Sequence, residues 1–222
     1  YYKNKYNNIR LINIDKNLTS LTGKQNALNY GIKCSNGDII LNIDADCIAG
    51  SSWLSKTISY FDEEVGFILG FTTTYGSSFL SKLQGLDMIF LMDAAAGSLG
   101  LNIPVSCMGS NIGYRRCVID KLGDHEMEYT VTEDTSLFQK VAQKTNWKIA
   151  VSYDKSAVVL TTAEKNFKSF ISQRIRWILG GQIGRHWTLF PLYMIFAFNA
   201  VLVMAFSVSF FSKVIFSAFL LA

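Results

Sequence analysis

The sequence has 222 residues, which is enough for one domain and an appendage. Half of the residues are hydrophobic and the excess collects after residue 187, so we expect a folded domain followed by membrane sequence. The formal net charge of +4 is too small for a dedicated nucleic-acid-binding protein. The four cysteines form no Cys-x-x-Cys pair and no zinc-ligand spacing with histidine, so we expect reduced thiols.

The first predicted elements are a strand over residues 9–14 and a helix that begins at Gly23-Lys24. A Gly-Lys pair suggests a Walker phosphate-binding loop, but that motif requires glycine five residues earlier, where Leu18 stands. The Walker motif is therefore excluded. Lys24 is interpreted either as a phosphate contact at the helix start or as an ordinary solvated lysine.

The apolar run from Ile39 to Ile43 predicts a buried strand, and the strand ends in Asp44-Ala45-Asp46. If the chain stays extended through Asp46, both carboxylates project to the same side, at the strand end where α/β sheets bind ligands. Neighbouring carboxylates repel each other unless a cation lies between them, and a hard ion such as Mg²⁺ or Mn²⁺ prefers these oxygen ligands. The alternative is a solvated acidic turn.

The middle of the chain predicts a helix over residues 51–61, a buried strand over 65–74 and a long helix over 77–99. Because strands alternate with helices, we expect an α/β fold with a mainly parallel sheet covered on both faces. Residues 105–116 then predict a turn that leads into another strand. The small residues at positions 109, 110 and 113 allow a ligand to approach the backbone closely.

The Thr132-Glu133-Asp134 sequence predicts the start of a helix. Threonine is a good N-cap and acids in the first turn favour the helix dipole, so capping alone explains this sequence. The functional alternative is that one of the two carboxylates enters the ligand crevice as a general base. Two short strands are predicted to follow, over residues 147–153 and 157–161.

The end of the chain predicts contact with a membrane. Residues 164–187 form a basic, aromatic-rich amphipathic helix of the kind that lies in a membrane interface. The 25 residues from 188 to 212 carry no charge and extend roughly 37 Å as a helix, more than the bilayer core of about 30 Å. We therefore expect a transmembrane helix, with a second beginning at 214–222. Basic residues before the span predict an integral membrane protein whose preceding domain is cytoplasmic.

Four motifs occur in one order along the chain. They are Gly-Lys-x-x-Ala-Leu-Asn at 23–29, Asp-Ala-Asp at 44–46, Thr-Glu-Asp at 132–134 and Gln-Arg-x-Arg-Trp at 173–177. With the uncharged segment that follows, this set resembles glycosyltransferase family 2, in the membrane-bound branch of the cellulose, chitin and hyaluronan synthases. The resemblance implies a GT-A fold, which binds nucleotide sugars, over residues 1–163. It also implies that the family's first strand and its uracil-contacting acid precede Tyr1, so that the sequence is a fragment.

The resemblance further implies inverting transfer from a UDP-sugar to a saccharide acceptor with Mg²⁺ or Mn²⁺, as in polysaccharide synthesis at the cytoplasmic membrane face. Residue roles follow from the matching motifs. Asp44 and Asp46 would bind nucleotide and metal, with Lys24 near the phosphates. Asp134 would be the base, with Glu133 beside it. The acceptor-side turn would be Gly109, Ser110 and Asn111, and the diphosphate and acceptor would be lined by Gln173, Arg176 and Trp177.

Two other functions stay open at this point. Ceramide-type glucosyltransferases share the motif set, in which case the acceptor is a glycolipid or lipid and the transfer a single event. A non-catalytic family member would instead act as a membrane scaffold or sugar sensor. The intact Asp44, Asp46, Asp134 and Arg176 argue against that second alternative.

Overall fold

The computed structural model describes residues 5–14, 23–122, 133–181, 197, 201 and 204–212. The chain divides into two compact units, Tyr1–Ile183 and Gly184–Ala222. In the second unit the described residues are helical, and the segment 204–212 is mostly exposed. The first unit carries all the motifs named above, and its architecture positions the candidate site.

Helices and strands alternate through the first unit. Within the described ranges the helices are α1 (Gly23–Cys34), α2 (Trp53–Ile58), α3 (Phe79–Gly100), α4 (Arg116–Leu122), α5 (Glu133–Lys144) and α6 (Phe167–Gly181). The strands are β1 (Ile39–Ile43), β2 (Cys47–Ala49), β3 (Val65–Gly70), β4 (Thr72–Tyr75), β5 (Asn111–Arg115), β6 (Lys148–Ser152) and β7 (Val159–Thr162). A 3₁₀ turn at Lys155–Ala157 precedes β7. The predicted α/β class is confirmed.

The strands form two mixed sheets, so the expectation of one mainly parallel sheet is wrong. The larger sheet has the order β1-β5-β3-β6, in which β5 is antiparallel to both neighbours and β6 is parallel to β3. The smaller sheet has the order β2-β7-β4. Strand β5 is antiparallel to β1, and the loop before β5 lies beside the end of β1, where Asn42 Nδ2 donates to the Gly109 carbonyl at 3.0 Å.

Three predicted strands differ from the observed ones. Residues 9–14 join no sheet in the described structure, and Arg10 instead donates to the Cys34 carbonyl at 3.1 Å. The predicted strand over 65–74 is divided at Phe71, with β3 in the larger sheet and β4 in the smaller one. Strand β1 is half-buried instead of buried because it is the last strand of its sheet.

Asn111 stabilises the division between the two sheets. Its Nδ2 donates to the Phe71 carbonyl at 2.8 Å and to the Ala157 carbonyl at 3.0 Å. Its Oδ1 accepts from Trp53 Nε1 at 2.9 Å. A Cβ on Gly70 would lie 2.4 Å from this amide, so the amide requires glycine there. One buried side chain therefore satisfies polar groups from three separate segments, as buried polar groups require.

The core of the first unit lies between the larger sheet and helix α5. Strand β3 is buried at every position, and Phe67 contacts Tyr114 of β5 and Phe138 of α5 with ring centroids 6.0 and 5.8 Å apart. Val141 of α5 is also fully buried. Aromatic pairs at these separations add to the hydrophobic stabilisation of a core. This packing fixes α5, and therefore its first turn, against the sheet.

Helix α6 begins at Phe167, three residues later than the predicted start at 164. Of the residues on its predicted apolar face, Phe170 is buried, while Ile171, Ile175 and Ile178 are exposed. The predicted continuation to residue 187, most of the predicted span 188–212 and the segment 214–222 lie outside the described residues. No helix within the described ranges is long and apolar enough to cross a membrane.

We predict that Asn111→Ala lowers the free energy of unfolding by about 3 kcal/mol, because two carbonyls and an indole N–H lose their partner in the interior. Denaturant unfolding followed by tryptophan fluorescence measures this loss. The exposed Asn146→Ala is the matched control and should change stability by less than about 0.5 kcal/mol. A loss below about 1 kcal/mol for Asn111→Ala would contradict this assignment.

Candidate active site

The two carboxylates after β1 lie on a turn, because the chain does not stay extended through Asp46. The Cys47 N–H donates to the Asp44 carbonyl at 3.0 Å and closes the turn. The carboxylates converge nevertheless, because the turn folds Asp46 back towards Asp44. The possible metal-ligating atoms of Asp44, Asp46 and Cys47 lie within 4.8 Å of one another. This donor set suits a hard divalent cation through its carboxylates.

Lys24, at the start of α1, lies directly beside this turn. Its Nζ is 2.7 Å from Asp44 Oδ1, and both side chains are partly exposed. Asp46 meets two neutral groups, since Thr161 Oγ1 lies 3.5 Å from Oδ2 and Cys47 Sγ lies 3.6 Å from Oδ1. The structure therefore brings together three of the predicted site residues, Lys24, Asp44 and Asp46.

The sequence interpretation did not place Cys47 in this site. Burial raises the pKa of its thiol. The Thr161 hydroxyl lowers this pKa by a smaller amount, and the Asp46 and Asp44 carboxylates raise it. A raised thiol pKa keeps Cys47 neutral near pH 7. A neutral thiol is a weak nucleophile, so this cysteine is not suited to covalent catalysis.

Asp134 lies in the first turn of α5, and its carboxylate contacts the backbone of the predicted acceptor-side turn. The Gly109 N–H donates to Oδ2 at 2.5 Å and the Thr135 N–H donates to Oδ1 at 2.8 Å. A Cβ on residue 109 would lie 2.3 Å from Oδ2, so this contact requires glycine. The predicted base and the predicted turn are thus adjacent.

Gly109 also connects Asp134 to strand β1. Its carbonyl accepts from Asn42 Nδ2, and Asn42 stands two residues before Asp44. The sequence interpretation missed Asn42. Its signal was present, because it is the polar residue in an otherwise apolar strand, and a polar group inside a sheet needs a partner.

Helix α5 is fastened to the segment before β5 by two further hydrogen bonds. Thr135 Oγ1 donates to the Cys107 carbonyl at 3.4 Å, and Gln139 Nε2 donates to the Val105 carbonyl at 3.0 Å. Glu133 begins the helix, but its side chain lies outside the described part of the structure. The contact with Gly109 places the Asp134 carboxylate at the predicted acceptor-side turn.

Ser110 and Asn111 are directed into the fold. Ser110 Oγ donates to Thr72 Oγ1 at 2.9 Å, and the three bonds of Asn111 join the two sheets as described above. Both residues are buried. Of the predicted turn, it is the backbone of Gly109 that contacts Asp134, while the two side chains after it have structural partners.

The Gln173–Trp177 motif lies on α6 in a network around Arg174, which the sequence interpretation did not select. Arg174 Nε donates to Asp87 Oδ2 at 2.7 Å, and its guanidinium carbon is 4.1 Å from the centre of the Trp177 ring. Nη1 donates to Gln173 Oε1 at 2.7 Å. Arg176 is exposed and has no hydrogen-bond or ion-pair partner among the described residues. The structure thus joins Gln173 to Trp177 through Arg174.

The sequence model of glycosyl transferase family 2 matches residues 1–123, which is more than half of the chain. The chain therefore belongs to glycosyl transferase family 2. The matched range includes the carboxylates at 44 and 46 and the Gly109 turn. The family membership predicted from the four motifs is confirmed.

Two curated proteins and one solved structure are similar to the chain. The chain is 27% identical over 191 residues to the probable glycosyltransferase YdaM of Bacillus subtilis, covering 82% of the chain and 43% of the relative. It is 27% identical over 189 residues to the poly-beta-1,6-N-acetyl-D-glucosamine synthase of Staphylococcus aureus, and the match covers 81% of this chain and 43% of that relative. It thus spans less than half the length of these relatives. A mannosyltransferase from Pyrobaculum calidifontis, solved with GDP-Man and Mn²⁺, superimposes with a TM-score of 0.48 and 16% identity over 73% of this chain and 42% of the other.

We predict that Gly109→Ala lowers glycosyl transfer by about 100-fold, because the new methyl group displaces the Asp134 carboxylate from its bond to the backbone. Steady-state rates of sugar transfer by the purified variants test this. Gly97→Ala on α3 is the matched control, since a Cβ there meets no atom within 4 Å and the control should transfer at the wild-type rate. Equal rates for both alanine variants would show that the Gly109 contact is unimportant.

Proposed function

We propose that this chain is the catalytic part of an inverting glycosyltransferase that transfers a sugar from a UDP-sugar to a saccharide acceptor. The observation that carries the proposal is the pair of hydrogen bonds on Gly109. They connect Asn42, next to the converging carboxylates, with Asp134 on α5. Transfer of a sugar to a hydroxyl group requires a base held at a fixed position relative to the donor. The bonds of Gly109 would hold Asp134 in this way relative to the carboxylates that bind the metal.

Asp44 and Asp46 would hold a Mg²⁺ or Mn²⁺ ion together with the nucleotide. Support comes from the convergence of their oxygens and from family membership. When bound, such an ion neutralises charge that develops on the departing diphosphate. Lys24 already contacts Asp44 and adds a positive charge where the phosphates would arrive.

Asp134 would accept the proton of the acceptor hydroxyl. A sugar hydroxyl is a poor nucleophile, so it needs a base within hydrogen-bond reach. The backbone N–H groups of Gly109 and Thr135 donate to the two carboxylate oxygens and orient the Asp134 side chain. The hydroxyl oxygen bonds to the anomeric carbon, its proton passes to Asp134, and the bond from that carbon to the diphosphate oxygen breaks with inversion.

Gln173, Arg176 and Trp177 would line the diphosphate and the acceptor. Arg176 is exposed, and a guanidinium can bind a diphosphate with two parallel hydrogen bonds. Trp177 is half-buried and offers a flat ring of the kind that suits the apolar face of a sugar. Both residues lie on the last described helix of the first unit.

The acceptor would be a growing polysaccharide, and the enzyme would be an integral membrane protein with this domain at the cytoplasmic face. The similarity to the staphylococcal poly-N-acetylglucosamine synthase supports a saccharide acceptor. The basic amphipathic helix α6, followed in the sequence by the uncharged residues 188–212, supports attachment to the membrane.

Asp46→Asn should lower Mn²⁺-dependent turnover of the full-length enzyme by at least about 100-fold, because the amide cannot supply the second negative charge to the cation. UDP release during a Mn²⁺ titration measures this. Glu63→Gln removes an exposed acid elsewhere on the chain and should keep wild-type turnover. Full activity of the wild-type enzyme in excess chelator would overturn the metal assignment.

Asp134→Asn should lower kcat by about 10²- to 10⁴-fold, because the amide keeps the shape of the carboxylate but cannot take up a proton. UDP affinity, measured by calorimetry on the same sample, should remain. Asp93→Asn, an exposed change on α3, is the control for general effects of charge. A larger loss of kcat in Glu133→Gln than in Asp134→Asn would show that Glu133 is the general base.

A further inference from the structure

We propose that Arg174 is a positioning residue that holds Trp177 and Gln173 at the acceptor side while making no contact with substrate itself. The proposal rests on the function proposed above for the α6 motif. Gln173, Arg176 and Trp177 are proposed to line the diphosphate and the acceptor, whereas Arg174 would act only through Gln173 and Trp177. Two arginines stand in this motif, and the structure places them in opposite environments.

The polar atoms of Arg174 are engaged by the protein. Nε donates to Asp87 Oδ2 at 2.7 Å, and Nη2 lies 2.6 Å from the same oxygen. Nη1 donates to Gln173 Oε1 at 2.7 Å. The side chain is only 14% exposed. An arginine with all three nitrogens occupied inside the fold is poorly placed to bind a ligand.

The flat faces of the same guanidinium are also engaged. Its central carbon lies 4.6 Å from the ring centre of Phe170 and 4.1 Å from that of Trp177. These residues are three and four positions from Arg174, so they share one face of α6. The attraction between a cation and an aromatic ring strengthens when the cation is withdrawn from water. One face of the Trp177 ring is therefore held by Arg174, and the tryptophan remains half-buried.

Asp87 belongs to α3, so the ion pair fixes α6 relative to a second helix. The same two helices are joined near the start of α6, where Gln84 exchanges two hydrogen bonds with the backbone of Glu164, at 3.0 and 2.8 Å. Glu164 Oε1 also accepts from Gln173 Nε2 at 3.2 Å. Contacts with α3 therefore hold Gln173 in place through Glu164, and hold Trp177 in place through Arg174.

The variant Arg174→Lys tests whether the shape of the arginine side chain matters in addition to its positive charge. Lysine keeps the positive charge near Asp87, but it has neither the planar fork nor the flat face that contacts Trp177. In the full-length enzyme we expect the acceptor KM to rise about tenfold, while UDP affinity changes less than about twofold. A wild-type acceptor KM for Arg174→Lys would overturn the proposal.

Reversing the charges of Asp87 and Arg174 tests whether Arg174 positions Trp177 or only joins α6 to α3. Asp87→Arg alone places two cations together and should lower the Tm, and the double variant Asp87→Arg with Arg174→Asp should restore most of that loss. In the double variant an aspartate replaces the guanidinium that contacts the Phe170 and Trp177 rings, so its acceptor KM should stay raised. Restoration of both the Tm and the acceptor KM would show that Arg174 only fastens the helices.

A spectroscopic measurement tests the positioning without relying on activity. In protein labelled with 5-fluorotryptophan, the ¹⁹F resonance of Trp177, assigned with Trp177→Phe, should move and broaden in Arg174→Lys. The resonances of Trp53 and Trp147 should stay in place, and Arg176→Lys should leave the Trp177 resonance unmoved. An unmoved Trp177 resonance in Arg174→Lys would refute the proposal. If the Trp177 resonance moves in Arg174→Lys but the wild-type protein transfers no sugar, the proposed function is refuted and the positioning role of Arg174 is not.

Discussion

The peptide group of Gly109 is the contact on which the candidate site depends. Its N–H binds Asp134 and its carbonyl binds Asn42, so one residue connects helix α5 with the end of strand β1. The same carbonyl contact lies where β5 begins beside the end of β1, its antiparallel neighbour. Glycine is required at this position because a Cβ would overlap the Asp134 carboxylate.

Local sequence patterns predicted most elements and the motif residues of the site. Apolar runs indicated β1 and β3, and the carboxylates at 44 and 46 were expected to converge. They do, although through a turn closed by Cys47. Periodicity could not predict that the segment 65–74 changes sheets, because the cause is a distant side chain, Asn111. Local patterns likewise could not pair Asn42 with Gly109, which lies 67 positions later in the sequence.

The two arginines of the α6 motif show a second limit of sequence interpretation. Arg174 and Arg176 have the same chemistry and stand two residues apart, so composition and charge cannot distinguish them. Successive residues of a helix point in directions about 100° apart, and the packing of α6 against α3 decides which arginine is enclosed. Arg174 meets Asp87, while Arg176 is exposed. The partner of an enclosed cation is a tertiary property, and Asp87 lies 87 positions earlier in the chain.

The contacts of Asn111 have a consequence for synthesis of the protein. They join it to residues 58, 40 and 46 positions away, the last being Ala157. Contacts of long sequence separation form only when both partners exist, so the junction of the two sheets cannot be completed before Ala157 has left the ribosome. The uncharged segment begins about 30 residues later, or a few seconds at synthesis rates of about 5–20 residues per second. Closure of the domain and emergence of that segment are therefore nearly simultaneous events.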